Sequence, residues 1–133
     1  MVIDSSALVA VLTGEEGSRA LLDAIEGDPV RMIAAPTLLE ASIVLERRGG
    51  RELVEILDVF VARIRAEVRP FGAEHLSIAR TAFSRFGKGR HPAGLNFGDC
   101  FSYALAQIEG EPLLFKGTDF SQTDVIGAPV DSN

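Results

Sequence analysis

Four acidic residues are the candidates for chemistry in this sequence: Asp4, Glu40, Asp99 and Asp119. Asp4 and Asp119 each follow a short apolar stretch that predicts a β-strand, and Asp99 lies in the first turn of a predicted helix. There the helix dipole stabilises a negative charge by about 0.3–1 kcal/mol. Each aspartate on its own is also compatible with an ordinary helix cap or turn residue. Ligands of open α/β sheets gather outside the carboxyl ends of the strands, where such residues would meet.

Glu40 is the acidic residue that local structure explains least well. On a helix it lies between Ile43 and Val44, inside the apolar segment 38–45. A glutamate that faces solvent would instead lie in a polar stripe of the helix. The alternative is an ion pair with the nearby Arg47, and the sequence leaves both interpretations open.

Four carboxylates in one place would need either protons or a cation. Two like charges about 4 Å apart repel by roughly 4 kcal/mol at an effective dielectric constant of about 20. Mg²⁺ prefers oxygen ligands, keeps several waters and is usually held directly by only one or two carboxylates. On that pattern Asp4 and Asp99 would ligate the metal, while Glu40 and Asp119 would bind through water or orient the nucleophile. The predicted chemistry is phosphodiester hydrolysis by a metal-activated water.

The elements that must position these residues alternate between strand and helix. Apolar runs, breakers and capping residues predict strands at 2–3, 32–34, 68–71 and 113–115, and a last short strand near 125–126. Helices are predicted at 7–12, 15–25, 36–48, 51–65, 74–86 and 99–109. The pair Gly49-Gly50 is expected to end one helix before the next begins. This alternation predicts a fold of the α/β class, with a parallel sheet covered on both faces.

Length and composition predict one domain over residues 1–133. Hydrophobic residues make up 47% of the sequence and charged residues 24%, as in folded globular proteins. We find no signal peptide and no apolar run long enough to cross a membrane, so we expect a cytoplasmic protein. Cys100 is the only cysteine, which excludes an intrachain disulfide and cannot alone form a structural zinc site. No G-x-S-x-G motif accompanies the two histidines, and no phosphate-binding glycine motif is present.

The charge distribution indicates a local basic surface on an acidic protein. The net charge of −6 argues against a general nucleic-acid coat, which would be basic overall. The interval between Glu74 and Asp99 has no acidic residue and contains Arg80, Arg85, Lys88, Arg90 and His91. Lys88 and Arg90 could position a phosphate backbone beside the metal. A loop that is merely solvated is the alternative.

Four segments of the chain resemble the PIN-domain nucleases, specifically the VapC-type toxins of type II toxin–antitoxin systems. They are V-I-D-S-S-A-L at Val2–Leu8, P-T-L-L-E-A at Pro36–Ala41, N-F-G-D-C-F-S-Y-A-L-A at Asn96–Ala106 and L-L-F-K-G-T-D-F at Leu113–Phe120. The resemblance implies a three-layer α/β/α fold with a small central parallel sheet, Mg²⁺ or Mn²⁺ as cofactor, and endonucleolytic cleavage of RNA. It also implies a homodimer and inhibition by a cognate antitoxin protein.

The resemblance assigns roles to residues by motif position. The catalytic acidic cluster is assigned to Asp4, Glu40, Asp99 and Asp119. Ser6 matches the hydroxyl position that helps to order the site. With RNA as the substrate, the phosphates that Lys88 and Arg90 contact, as their place in the acid-free interval suggests, would be those of RNA.

Three other classes of protein are alternatives to the PIN-domain nuclease hypothesis. A response-regulator receiver would need a phosphoacceptor aspartate at the end of its middle strand, and residues 68–71 contain none. A phosphatase of the haloacid dehalogenase type would need an aspartate two residues after Asp4, where Ser6 stands. A non-catalytic PIN-fold binding module, acting in an antitoxin-containing regulatory complex, is the alternative to an enzyme.

Overall fold

The computed structural model describes residues 1–131, in which four strands and five α-helices form. The strands are β1 (Val2–Ile3), β2 (Met32–Ala34), β3 (Glu67–Arg69) and β4 (Leu113–Leu114). The helices are α1 (Ser5–Thr13), α2 (Ser18–Gly27), α3 (Ala35–Arg63), α4 (Ala73–Phe86) and α5 (Phe97–Glu109), and a short 3₁₀ turn covers Phe120–Gln122. None of these helices is long and apolar enough to cross a membrane. The domain predicted over residues 1–133 includes 132 and 133, which lie outside the described residues.

The strands form one parallel sheet in the order β3-β2-β1-β4. Val2 of the central strand β1 pairs with Met32 of β2 on one side and with Leu113 of β4 on the other. Because every pairing is parallel, the carboxyl ends of the strands lie along one edge of the sheet. The predicted α/β fold with a small central parallel sheet is therefore confirmed.

Successive residues of the central strands face opposite helical layers. Ile3 and Leu114 lie in a core packed by α1, α2 and α3, whereas Val2 and Leu113 lie in a second core packed by α4 and α5. All of these side chains are 0% exposed. Burial on both faces is the reason that these strands are uninterrupted apolar runs. The layers stack as α/β/α, as predicted.

The element α3 consists of two helical segments that meet at the predicted glycine pair. Gly50 has a φ of 74° and a ψ of −169°, so helical geometry is interrupted at that residue while helix continues on both sides. Leu45 before the kink and Leu57 after it belong to the same core. Gly50 therefore ends the first helical segment before the second begins, as the sequence predicted, and both segments pack on one core.

Three boundaries differ from the prediction for local reasons. Strand β3 ends at Arg69 because Pro70 has no N–H to donate to the sheet. Helix α2 begins at Ser18 because Gly17 adopts a left-handed φ of 83°. The last strand predicted near 125–126 does not form in the described part of the chain, where only an isolated bridge joins Gly127 to Leu113.

Candidate active site

Asp4 lies at the carboxyl end of the central strand and caps the N-terminus of α1. Its side chain is nearly fully buried, and its carboxylate accepts three hydrogen bonds. Oδ2 accepts from the Ser6 N–H at 3.1 Å and from Ser6 Oγ at 2.6 Å, while Oδ1 accepts from Ser102 Oγ at 2.6 Å. Ser6 Oγ also accepts from the Lys116 N–H at 3.0 Å. Ser6 therefore joins Asp4 to the segment after β4.

Asp99 is held in the first turn of α5 by a reciprocal cap. The Asp99 N–H donates to Asn96 Oδ1 at 2.9 Å, and the Asn96 N–H donates to Asp99 Oδ2 at 3.0 Å. Asn96 is thus the N-cap residue of α5. This arrangement fixes the backbone and the carboxylate of Asp99 together.

Glu40 reaches the site from α3 and lies against the first turn of α5. Its Oε1 accepts a hydrogen bond from Ser5 Oγ at 2.7 Å. A Cβ atom at Gly98 would overlap this carboxylate and would lie 2.6 Å from its carbon, so Glu40 keeps this position only while residue 98 is glycine. Within residues 1–131, Glu40 forms no ion pair with Arg47. The alternative explanation for Glu40 is therefore excluded.

Asp119 is the most exposed of the predicted catalytic residues. It lies in the turn after β4 and directly precedes the 3₁₀ turn, without a side-chain capping hydrogen bond. Its backbone is consequently held less tightly than that of Asp4 or Asp99. Its contribution to the site is its charge.

The structure brings the four predicted catalytic residues within electrostatic reach of one another. Burial raises the pKa of Asp99 from 3.8 to about 7, and the hydrogen bond from the Asn96 N–H opposes that rise. The negative charges of Asp4, Asp119 and Glu40 raise the pKa further. Like charges raise a carboxyl pKa in this way only when they are close by. The described protein thus concentrates negative charge around Asp99.

The donor atoms of this cluster suit a hard divalent cation. Every candidate ligand is a carboxylate oxygen, the ligand type that Mg²⁺ and Mn²⁺ prefer. In the described residues, no three His, Cys, Asp or Glu side chains are close enough to ligate one ion together. The donor set therefore fits a cation that keeps most of its waters and is held directly by one or two carboxylates. It does not fit a closed cage such as a structural zinc site.

Lys88 and Arg90 lie in the loop that leads from α4 to α5. The loop is closed on itself, because the Lys88 N–H donates to the Leu95 carbonyl at 2.9 Å and the Arg90 N–H donates to the Gly87 carbonyl at 2.9 Å. Both side chains are exposed, and neither forms an ion pair with another described residue. Their charges are available to an external partner.

Sequence reasoning missed three hydroxyl groups that contact the acidic residues or support those that do. The sequence analysis assigns no role at the site to Ser5, Ser102 or Thr37. Ser5 donates to Glu40, Ser102 donates to Asp4, and Thr37 Oγ1 lies 3.2 Å from Ser102 Oγ. No signal in the sequence separates these hydroxyl groups from those of helical serines and threonines that bond only their own backbone.

Comparison with known proteins agrees with the fold and with the motifs. The PIN domain family model matches residues 1–126. Ribonuclease VapC of Mycolicibacterium smegmatis is 50% identical over 129 residues, which covers 94% of this chain and 97% of that protein. Ribonuclease VapC30 of Mycobacterium tuberculosis is 46% identical over 129 residues, covering 94% of this chain and 95% of that protein.

Solved structures share the fold at low sequence identity. VapC20 of Mycobacterium tuberculosis, a sarcin–ricin loop cleaving toxin, superposes with a TM-score of 0.80 at 18% identity, covering 98% of both chains. VapBC2 of Rickettsia felis, bound to a DNA fragment from its promoter, gives a TM-score of 0.72 at 18% identity, again covering 98% of both chains. With its α/β/α layers, its acidic cluster and these relatives, the chain belongs to the PIN-domain family, among the VapC ribonucleases.

Proposed function

We propose that this protein is the toxin of a type II toxin–antitoxin pair and that it cleaves RNA internally with a divalent cation. The observation that carries the proposal is the concentration of negative charge around the buried Asp99, whose pKa is raised to about 7 by burial first and then by the charges of Asp4, Asp119 and Glu40. A cation would relieve this repulsion, and the named relatives are ribonucleases. An enzyme that acts on cellular RNA would work in the cytoplasm.

The chain's own residues divide the work at this site. Asp4 and Asp99 would hold Mg²⁺, or Mn²⁺ in its place, because hydrogen bonds or caps fix both carboxylates. The bound ion would activate a water and stabilise charge on the phosphate oxygens. Glu40 and Asp119 would accept hydrogen bonds from waters beside the phosphate and orient the nucleophile. Ser6 would keep Asp4 aligned with the segment after β4.

The RNA would cross the site beside the loop that carries Lys88 and Arg90. Both side chains are exposed, and the interval before Asp99 contains no acidic residue as far back as Glu74. Contacts from such residues to phosphates add affinity without reading the base sequence. They would hold the backbone while the acidic cluster acts on one phosphodiester bond.

The proposed assembly is a homodimer that binds a cognate antitoxin. Leu39 is 61% exposed, Ile43 42% and Phe97 79%, and these apolar side chains line one cavity together with Glu40. Large exposed apolar patches mark protein interfaces. A toxin–antitoxin complex from Klebsiella pneumoniae has the same fold at 14% identity, with a TM-score of 0.68 and coverage of 92% of both chains. An antitoxin arginine would bind the acidic cluster in place of the cation.

The test is RNA cleavage by the purified protein, with Mg²⁺ and with chelator. Cleavage in Mg²⁺ that stops in chelator and in Asp99→Asn supports the proposal. Asp58→Asn removes an exposed carboxylate from α3 outside the cluster and is the matched control, which should cleave like the parent. Folded parent protein that binds antitoxin but cuts no RNA would favour the non-catalytic binding module instead.

A further inference from the structure

A chain of buried hydroxyl groups runs from α3 through α5 to Asp4. Thr37 Oγ1 is 3.2 Å from Ser102 Oγ, which is 2.6 Å from Asp4 Oδ1. Both hydroxyl-bearing residues are 0% exposed. The buried polar residues of the described chain are Asp4, Thr37, Asp99 and Ser102. The protein therefore buries very few polar side chains, and most of them are in this chain.

The direction of donation along the chain follows from the chemistry of its members. An ionised carboxylate can only accept, so Ser102 donates its single hydroxyl proton to Asp4. Ser102 Oγ is then left with acceptor capacity alone toward Thr37. Thr37 must donate to Ser102, and both protons point toward the carboxylate.

Ser102 does not need Asp4 to satisfy its own hydroxyl group. Ser42 Oγ donates to the Leu38 carbonyl at 2.7 Å, and Thr81 Oγ1 donates to the Ser77 carbonyl at 3.3 Å, each one turn back in its helix. Such local bonds are the usual solution for a helical serine or threonine. Ser102 instead donates to a residue 98 positions away in the sequence. A buried alanine at this position would avoid the desolvation of a hydroxyl altogether.

We propose that Ser102 and Thr37 are positioning residues that hold the Asp4 carboxylate in the orientation needed to bind the divalent cation. The inference rests on the proposed function. Ser6 donates to Oδ2 and Ser102 donates to Oδ1, so both oxygens are held and the carboxylate cannot rotate freely. Thr37 in turn holds Ser102. Groups that orient a metal-binding carboxylate typically change metal affinity or activity by about 10–100-fold when removed.

The test measures Mg²⁺ binding to metal-free protein by titration calorimetry and by the rise of Tm with added Mg²⁺. Ser102→Ala should raise the Kd for Mg²⁺ by about 10–100-fold. Ser42→Ala removes a hydroxyl that serves only its own helix and should keep the Kd of the parent. Thr37→Val removes the second hydroxyl at nearly constant shape and should raise the Kd by about 10-fold, whereas Thr37→Ser keeps the hydroxyl and should not.

The outcomes separate positioning from stability and from the proposed function. A parental Kd in Ser102→Ala, measured well below its Tm, overturns the inference even when the Tm itself falls. Should Ser102→Ala not fold, equal Kd values for Thr37→Val and Thr37→Ser overturn it. A parent that binds Mg²⁺ and loses binding in Asp4→Asn, with no change in Ser102→Ala, leaves the proposed function intact and rejects this inference alone. A parent that neither binds Mg²⁺ nor cleaves RNA rejects both.

Discussion

Replacing Asp99 with asparagine should stabilise the metal-free protein, and more strongly at higher pH. The pKa of Asp99 is raised from 3.8 to about 7, so the folded state binds more protons than the unfolded state between these values. The stability that the Asp99 carboxyl group contributes is therefore fully present below its pKa in the unfolded state. It is lost as the pH rises through its pKa in the folded state. Asp99→Asn has no carboxyl group to titrate, so it avoids this loss.

The expected change in the free energy of unfolding follows from the part of the pKa shift that lies between the two pH values of the assay. One pKa unit corresponds to about 1.4 kcal/mol, so the roughly two units between about pH 5 and the folded pKa give at most about 3 kcal/mol. Solvent screening at a site open on one side reduces this to about 1–3 kcal/mol. The asparagine carbonyl can still accept from the Asn96 N–H, so the cap is retained.

Asp4→Asn removes the same charge but should behave differently. The Asp4 carboxylate accepts hydrogen bonds from the Ser6 N–H, from Ser6 Oγ and from Ser102 Oγ, and an asparagine side chain has only one oxygen. At least one buried donor loses its acceptor, at a cost of about 1–3 kcal/mol. We therefore expect Asp4→Asn to be less stable than Asp99→Asn at every pH.

Urea unfolding in chelator at about pH 5 and about pH 8 measures the difference, with Asp58→Asn as control. The free energy of unfolding of the parent should fall between the two pH values by about 1–3 kcal/mol more than that of Asp99→Asn. Mg²⁺ should then stabilise the parent by mass action and both site variants much less. Equal pH dependence of the parent and Asp99→Asn would show that the carboxylates are not crowded and would remove the physical basis of the metal site.

The remaining predictions concern the RNA, the helix contact and the assembly. Lys88→Ala and Arg90→Ala should each weaken RNA binding for all sequences and lower the salt slope by about one unit; an unchanged slope in filter binding would make the loop merely solvated. Gly98→Ala should push the flexible Glu40 carboxylate out of place and reduce cleavage in the same assay, at little cost in stability. Wild-type activity of this variant would contradict the close contact. Leu39→Glu should convert dimers to monomers in sedimentation at micromolar concentration, and an unchanged distribution would move the interface elsewhere.

The placement of Asp4 and Glu40 at the site could be predicted from the sequence, because each follows from a local sequence pattern. A short apolar strand followed by Ser5 and Ser6 predicts a strand end that also begins a helix, and this is the geometry of Asp4. Glu40 was recognisable as a charge in an apolar helix face, and the structure gives it a hydroxyl partner and no ion pair with Arg47 among the described residues.

The hydroxyl chain could not be predicted from the sequence in the same way. A serine in a helix usually bonds its own backbone, so nothing in the sequence distinguishes Ser102 from Ser42. That distinction depends on the packing of α5 against the end of β1. By contrast, the break inside α3 could be predicted, because glycine readily adopts the left-handed φ of 74° that interrupts the helix at Gly50.

The site orients its acids with neutral donors and so keeps their negative charge. The hydrogen bonds to the buried carboxylates come from hydroxyl or backbone N–H groups of Ser5, Ser6, Asn96 and Ser102. In the described chain no Lys or Arg pairs with Asp4, Glu40 or Asp99, and the nearby Lys116 ammonium instead binds Glu15 and the Glu16 carbonyl. A basic side chain would have fixed the geometry equally well but neutralised the charge that attracts a cation. Because the charge is oriented but left unpaired, the folded protein tolerates repulsion that binding relieves, and a metal ion or an antitoxin arginine would compete for the same unpaired charge.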